Sequence, residues 1–161
     1  MTRTMETSRK VVLVASGSSA DRAIALERLL AAAAGRSGWG DRLEIRLGGT
    51  GHGAGRISDA GLDALQRIGI DAGGAVCPDL ERRPSLLEGA DYVVCDRGDV
   101  ADSLVDWDEA GAAGFVVVSE VDGEDAEKVD QDNEPILDEV RRYEGAIDEV
   151  LRRVVAARLT D

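Results

Sequence analysis

A loop of small residues near the start of the chain has the composition of an oxyanion site. It follows an apolar run at 11–15 and precedes a strongly helix-forming stretch at 23–34. Backbone N–H groups of a glycine- and serine-rich turn at a helix N-terminus bind anions, and an arginine side chain can hold two phosphate oxygens at once. We therefore predict that a phosphate, sulfate or phosphorylated ligand binds to this loop. Its residues are Ser16, Gly17, Ser18, Ser19, Ala20, Asp21 and Arg22.

The same residues also fit a loop that only reverses the chain, with Arg22 paired to Asp21 or Glu27. Asp21 is expected to place a negative charge beside any bound anion and to weaken binding unless it points outward.

A second glycine-rich stretch, at 48–55, follows a predicted strand at 43–47. From Gly49 to Ala54 it satisfies the spacing G-x-G-x-x-A, which occurs in dinucleotide-binding sites. The next helix starts only near Ser58, however, so phosphates bound here would meet no helix N-terminus. A mobile loop is the simpler interpretation, with His52, the only histidine of the sequence, exposed to solvent.

The cysteines and the acidic residues indicate no metal site and no cofactor. Cys77 and Cys95 are too few for a disulfide framework. Cys95 ends an apolar run and is predicted to be a core residue, whereas Cys77 is interpreted as incidental. The acidic run at 120–139 is predicted to be a solvated loop, with a weak calcium site as the alternative.

The formal net charge of −13 argues against binding to nucleic acid or to an anionic membrane surface. The first nine residues are polar, and no stretch approaches the roughly 18 apolar residues of a membrane span. We therefore expect a cytoplasmic protein. Its few lysines and many acids suit a salt-adapted cytoplasm, although a GC-rich genome explains the preference for arginine equally well. The sequence names no protein partner.

Predicted strands and helices alternate along the chain. Short apolar runs indicate buried strands at 92–95 and 114–118 in addition to 11–15, and the alternating segment at 43–47 indicates a strand at the sheet edge. Helices are predicted at 23–34, 58–69, 100–107 and 134–159. This order predicts a single three-layer α/β domain at 11–159, with a four-stranded parallel sheet and helices on both faces. A flexible segment at 1–10 precedes it.

Several segments resemble the low-molecular-weight protein tyrosine phosphatases and the thioredoxin-coupled arsenate reductases. Residues 12–22 are similar to the first strand and the C-x5-R loop of that superfamily, with Ser16 at the cysteine and Arg22 at the arginine. Later segments resemble the superfamily in the same order: 47–50, 61–71, 90–94 and 135–141. The resemblance implies the superfamily's fold over most of residues 11–159.

The resemblance also implies a chemistry that this chain lacks in part. In the superfamily a cysteine thiolate attacks phosphorus, the arginine grips the phosphate, and an aspartate protonates the leaving group. The nearest matches to that aspartate are Asp130 and Asp132, neither with the proline of the superfamily, and Asp130 has the right distance from Val140. Ala23 replaces a hydroxyl residue. A helix N-terminus and an arginine can turn a thiol into a thiolate at neutral pH, whereas the pKa of an alcohol starts too high for this. The resemblance places Ser16 at the nucleophile position, but its neighbours in the sequence offer no general base. We therefore expect covalent phosphoryl transfer through Ser16 to be negligible.

These considerations leave enzyme activity open and give three hypotheses. The first is a catalytically inactive member of the superfamily that retains an oxyanion-binding loop and has a binding or regulatory role. The second is an active phosphatase or arsenate reductase of unusual mechanism, in which Ser16, Arg22 and Asp130 take the catalytic positions. The third is a nucleotide- or phosphosugar-binding Rossmann-like module that uses the loop at 49–55.

Overall fold

The structure is a computed structural model that describes residues 9–121 and 136–159. In chain order its strands and helices are β1 (Lys10–Ser16), α1 (Ala20–Arg36), β2 (Leu43–Gly49), β3 (Gly55–Arg56), α2 (Asp59–Arg67), β4 (Val76–Cys77), β5 (Tyr92–Cys95), α3 (Gly98–Leu104), β6 (Gly114–Val117), α4 (Val118–Val121) and α5 (Ile136–Leu159). Short 3-10 turns lie at Gly51–Gly53, Pro84–Leu86 and Asp108–Ala110.

The main sheet contains four parallel strands in the spatial order β2-β1-β5-β6. β2 lies at the edge, as its alternating sequence predicts. β1 lies between β2 and β5, so that Ser16 pairs with Gly49 and Ala15 pairs with Cys95. The carboxyl ends of these three strands therefore meet at one edge of the sheet, where ligands of parallel α/β proteins bind.

Helices cover both faces of this sheet. Val12 and Val14 belong to a core shared with α1, α2 and α5, whereas Leu13 and Ala15 belong to a second core shared with α3. Successive side chains of a strand point to opposite faces, so β1 contributes to both cores. The predicted three-layer α/β fold with a four-stranded parallel sheet is confirmed.

Helix caps explain where the first two helices begin. α1 starts at Ala20, three residues before the predicted start, because the Ser19 hydroxyl accepts a hydrogen bond from the Arg22 backbone N–H at 3.2 Å. The Ser58 hydroxyl caps α2 in the same way. Gly69, just past the end of α2, has a φ of +86°, which glycine adopts without strain.

A second, two-stranded sheet joins the end of the glycine-rich stretch after β2 to residues 76–77. β3 and β4 pair in antiparallel fashion, with Gly55 opposite Cys77 and Arg56 opposite Val76. Strands of two residues are too short for an alternating pattern to indicate them. Only the tertiary contacts therefore reveal this sheet.

The main sheet begins at the edge of the segment predicted to be flexible. Lys10 is the first residue of β1, and its ammonium group donates a hydrogen bond to the Val154 carbonyl at 2.9 Å. Residues 1–8 lie outside the described part of the chain. Across residues 9–121 and 136–159, none of the helices combines the length and the apolar character that crossing a bilayer requires.

Candidate functional site

The predicted oxyanion loop lies at the carboxyl end of β1, beside the ends of β2 and β5. The Ser16 carbonyl accepts a hydrogen bond from the Thr50 backbone N–H at 3.1 Å, which fastens the loop to the segment after β2. On the other side, Asp96 directly follows β5. The strand order therefore brings together residues that are 80 positions apart in the sequence.

The Ser16 hydroxyl is engaged inside the protein. Its O–H group donates a hydrogen bond to Asp96 Oδ2 at 2.9 Å, and Ser16 is 0% exposed. The Ser18 hydroxyl also donates to Asp96 Oδ2, at 3.3 Å, and the Ser18 backbone N–H donates to the Ser16 hydroxyl. The group at the predicted nucleophile position is thus covered by Ser18 and Asp96.

Asp96 is the residue that sequence reasoning missed. It is 1% exposed, and its second oxygen, Oδ1, has no hydrogen-bond partner among the described residues. Burial raises the pKa of the Asp96 carboxyl, while the hydrogen bond from Ser16 and the positive charge of Arg22 act in the opposite direction. An aspartate directly after a buried strand that neighbours β1 was the available signal, because it must lie beside the end of β1.

Arg22 is buried and faces a carboxylate of α5. Its Nε lies 3.7 Å from Oε1 of Glu139, a fully buried residue of α5, and its charge also acts on Asp96. The alternative pairing with Asp21 or Glu27 is not the one observed. Tyr143 belongs to the same interior cluster: burial raises the pKa of its hydroxyl well above its usual value, and the charges of Asp96 and Glu139 act in the same direction.

Asp21 faces α2 rather than the oxyanion loop. Its carboxylate accepts hydrogen bonds from the Ser58 backbone N–H at 2.8 Å and from the Ser58 hydroxyl at 2.5 Å. Asp21 therefore points outward, which is the exception that the sequence analysis allowed. Its charge instead meets the N-terminus of α2, where carboxylates are favourable.

A pocket of about 270 Å³ opens beside the loop. Arg97 lies in its wall with Nε 3.9 Å from Asp99 Oδ1, and His52 is exposed there as predicted. The pocket is lined by Gly17, Ser18, Thr50, Gly51, His52, Asp96, Arg97, Asp99, Val100 and Ser103. Ser16 and Arg22 are not among the lining residues. Of the predicted loop, only Gly17 and Ser18 reach the pocket wall.

The glycines at the end of β2 and in the turn that follows allow backbone segments to pack closely. A Cβ at Gly53 would overlap the Ser16 carbonyl oxygen, and one at Gly49 would overlap the Gly53 carbonyl. Gly53 is buried, which differs from the predicted mobile loop. The turn holds a short 3-10 helix at Gly51–Gly53 and opens no α-helix, since β3 intervenes before α2 begins at Asp59. The phosphate-cradling geometry of a dinucleotide site is therefore not formed here.

Both cysteines are free and buried. Cys95 is a core residue, as predicted, but Cys77 also packs into the core rather than being incidental. Burial raises the pKa of the Cys77 thiol to about 12, and the charges of Glu27 and Asp79 contribute. Burial likewise raises the pKa of Cys95. Neither thiol forms an appreciable amount of thiolate at neutral pH.

Two further predictions concern residues beyond this loop. Asp130, the predicted general acid, lies outside the described residues, as does most of the acidic run at 120–139. Within residues 9–121 and 136–159, no three His, Cys, Asp or Glu side chains are grouped closely enough to hold a metal ion.

No protein-family model matches the chain, and no curated protein matches it. Solved structures match the chain. A low-molecular-weight protein tyrosine phosphatase from T. tengcongensis superimposes with a TM-score of 0.71 at 21% identity, covering 89% of this chain and 99% of that one. A protein tyrosine phosphatase from Entamoeba histolytica gives a TM-score of 0.68 at 13% identity, with coverages of 94% and 97%. This chain has the low-molecular-weight phosphatase fold.

A third similar structure is that of a mutant phosphatase. It is a cysteine-to-serine mutant of the arginine phosphatase YwlE with a phosphorylated active-site serine. Its TM-score is 0.62 at 20% identity, and the alignment covers 94% of this chain and 96% of that one. The predicted fold is thus found in phosphatases that differ in their substrates.

Proposed function

We propose that this chain is a phosphatase-fold protein that binds a phosphate-containing ligand at the loop from Ser16 to Arg22 without hydrolysing it. One observation carries the proposal. The hydroxyl that occupies the nucleophile position is fully buried and hydrogen-bonded to Asp96. A group that is covered on its pocket side cannot attack phosphorus in line unless the loop first rearranges.

The N-terminus of α1 supports binding of an anion. α1 is 17 residues long, and the first N–H groups of a helix have no partners within the helix. In this first turn the Arg22 N–H donates to a side chain, the hydroxyl of Ser19. The positive end of the helix and the nearby Arg22 charge both favour an oxyanion.

The chemistry of oxygen supports the absence of turnover. The loop can lower the pKa of a thiol enough to form a thiolate, but an alcohol needs a base that removes its proton during attack. Asp96 could accept that proton, yet its hydrogen bond to Ser16 lies within a covered cluster. We therefore assign the protein a binding or regulatory role, in the cytoplasm, where its two thiols stay reduced.

A second candidate function rests on the same contact. An alcohol 2.9 Å from a buried carboxylate is also the arrangement of a nucleophile and its base. In the YwlE mutant a serine of the active site carries a phosphoryl group. On this alternative Ser16 attacks phosphorus, Asp96 takes its proton, and Asp130 protonates the leaving group.

Calorimetric titration with inorganic phosphate and an assay of aryl phosphate hydrolysis test the two candidates together. We expect the purified chain to bind phosphate and to show no more hydrolysis than Ser16→Ala. Ser103→Ala serves as a matched control, because Ser103 lines the pocket on α3, away from the loop. Hydrolysis that disappears in Ser16→Ala and persists in Ser103→Ala would establish the second candidate. Absence of phosphate binding would contradict both.

A further inference from the structure

Asp96 gives this anion site an unusual component, a buried carboxylate in its wall. Oδ2 is satisfied by the hydroxyls of Ser16 and Ser18, whereas Oδ1 has no hydrogen-bond partner among the residues described. Asp96 also lines the pocket. A buried acceptor without a donor costs free energy, so this carboxyl group gains from any ligand that brings a donor.

The charged groups around Asp96 act on its carboxyl group in opposite directions. Arg22 of α1 acts on it from one side, but Arg22 also faces the buried carboxylate of Glu139. Asp99 of α3 adds a second negative charge, and Tyr143 of α5 approaches as a neutral phenol. Burial is the largest influence and raises the pKa of the Asp96 carboxyl. An incoming anion therefore meets a buried carboxyl group whose Oδ1 has no donor among the residues described.

Two oxygens with lone pairs repel each other unless a proton lies between them. An oxyanion that carries a hydroxyl, such as inorganic phosphate, can donate that proton to the carboxylate and form a charge-assisted hydrogen bond. Sulfate carries no proton at neutral pH. It can be accepted only if Asp96 first takes up a proton from solvent.

We propose that Asp96 makes the loop selective for oxyanions that carry a proton, so that phosphate binds and sulfate is rejected. The inference rests on the proposed function, because it requires that the loop bind an oxyanion at all. The donor is a P–OH group of the ligand and the acceptor is Oδ1 of Asp96. No bond other than a hydrogen bond forms or breaks.

Calorimetric titration with phosphate and with sulfate at neutral pH and equal ionic strength tests the selectivity. We expect the unmodified chain to bind phosphate at least about tenfold more tightly, since an unmet buried acceptor and a repelled anion together exceed about 1.4 kcal/mol. In Asp96→Asn the ratio should fall towards one, because an amide can donate to sulfate as well as accept from phosphate. Asp102→Asn is the matched control and should keep the preference, because Asp102 is exposed on α3 and does not line the pocket.

The outcomes separate this inference from the proposed function. Equal affinities of the unmodified chain for both ions would overturn the selectivity and leave binding intact. Failure of both the unmodified chain and folded Asp96→Asn to bind either ion would overturn the proposed function. A preference that persists in Asp96→Asn, with a circular dichroism spectrum like that of the unmodified chain, would assign selectivity to another group. If Asp96→Asn does not fold, the comparison of the two ions on the unmodified chain still decides whether selectivity exists.

Discussion

The two halves of the oxyanion loop use similar residues for different purposes. In the first half, Ser16 and Ser18 share Asp96, and Ser18 and Asp96 reach the pocket wall. In the second half the side chains stabilise helices. Ser19 caps α1, Asp21 accepts a hydrogen bond at the N-terminus of α2, and Arg22 forms an ion pair with Glu139 of α5. The difference shows that the first half, Ser16 to Ser18, supplies the groups near the pocket. The second half, Ser19 to Arg22, stabilises the packing of the helices.

The largest effect is expected at the buried charge pair of the second half. Glu139→Ala removes the buried carboxylate that lies 3.7 Å from Arg22 Nε, and breaking such a buried pair costs about 3–5 kcal/mol. Urea denaturation measures this loss as a lower midpoint. Glu144→Ala, an exposed acid on the same helix, should change stability by less than about 0.5 kcal/mol. Equal effects of the two variants would contradict the stabilising role of the second half.

A somewhat smaller loss is expected where the turn after β2 packs on the first half. Gly53→Ala forces a methyl group against the Ser16 carbonyl, and such overpacking costs about 1–3 kcal/mol. Gly145→Ala is the control, since the new methyl meets nothing within 4 Å in α5 and should stabilise the helix by up to about 1 kcal/mol. Thermal unfolding of both variants gives the sign of each change. A neutral Gly53→Ala would mean that the turn does not hold Ser16.

A thiol placed in the first half would report the charge of Asp96. In Ser16→Cys the neighbouring carboxylate raises the pKa of the new thiol, so alkylation at neutral pH should be slow. Adding Asp96→Asn removes that charge and should speed alkylation by about tenfold, which equals one pKa unit. The native thiols contribute little background, because both are buried. Equal rates in the single and double variants would show that Asp96 carries no charge beside Ser16.

The smallest effect is expected at the contact between α1 and α2. Asp21→Ala removes two hydrogen bonds to Ser58 at a helix N-terminus and should cost about 1 kcal/mol. Asp63→Ala on α2 breaks only an exposed pair with Arg67, worth about 0.3–0.5 kcal/mol. Phosphate affinity should stay the same in both, measured by calorimetry. A tighter complex in Asp21→Ala would place the Asp21 charge near the ligand after all.

The sequence predicts the fold well because periodicity reports burial directly. The apolar runs at 11–15 and 92–95 lie inside β1 and β5, and the alternating run at 43–47 forms the edge strand β2. β3 and β4, of two residues each, are too short to leave a pattern. The early start of α1 depends on the Ser19 cap. Ser19 lies in a run of small polar residues, so the sequence does not show which of them is the cap.

The candidate site was harder to predict because its contacts join distant parts of the chain. The loop from Ser16 to Arg22 stands out by composition, but the partners of its side chains do not. Asp96 and Glu139 become neighbours of the loop only through the strand order and the packing of α5. Asp21 similarly finds Ser58 across two helices, which turns an expected obstacle to binding into a structural contact.

The central claim is that the Ser16 hydroxyl is held by Asp96 and does not take up a phosphoryl group. Intact-protein mass spectrometry after incubation with a large excess of aryl phosphate tests this most directly, with Ser16→Ala as the blank. We predict that the unmodified chain keeps its original mass. A gain of one phosphoryl group that peptide mapping assigns to Ser16, and that is absent from Ser16→Ala, would contradict the claim.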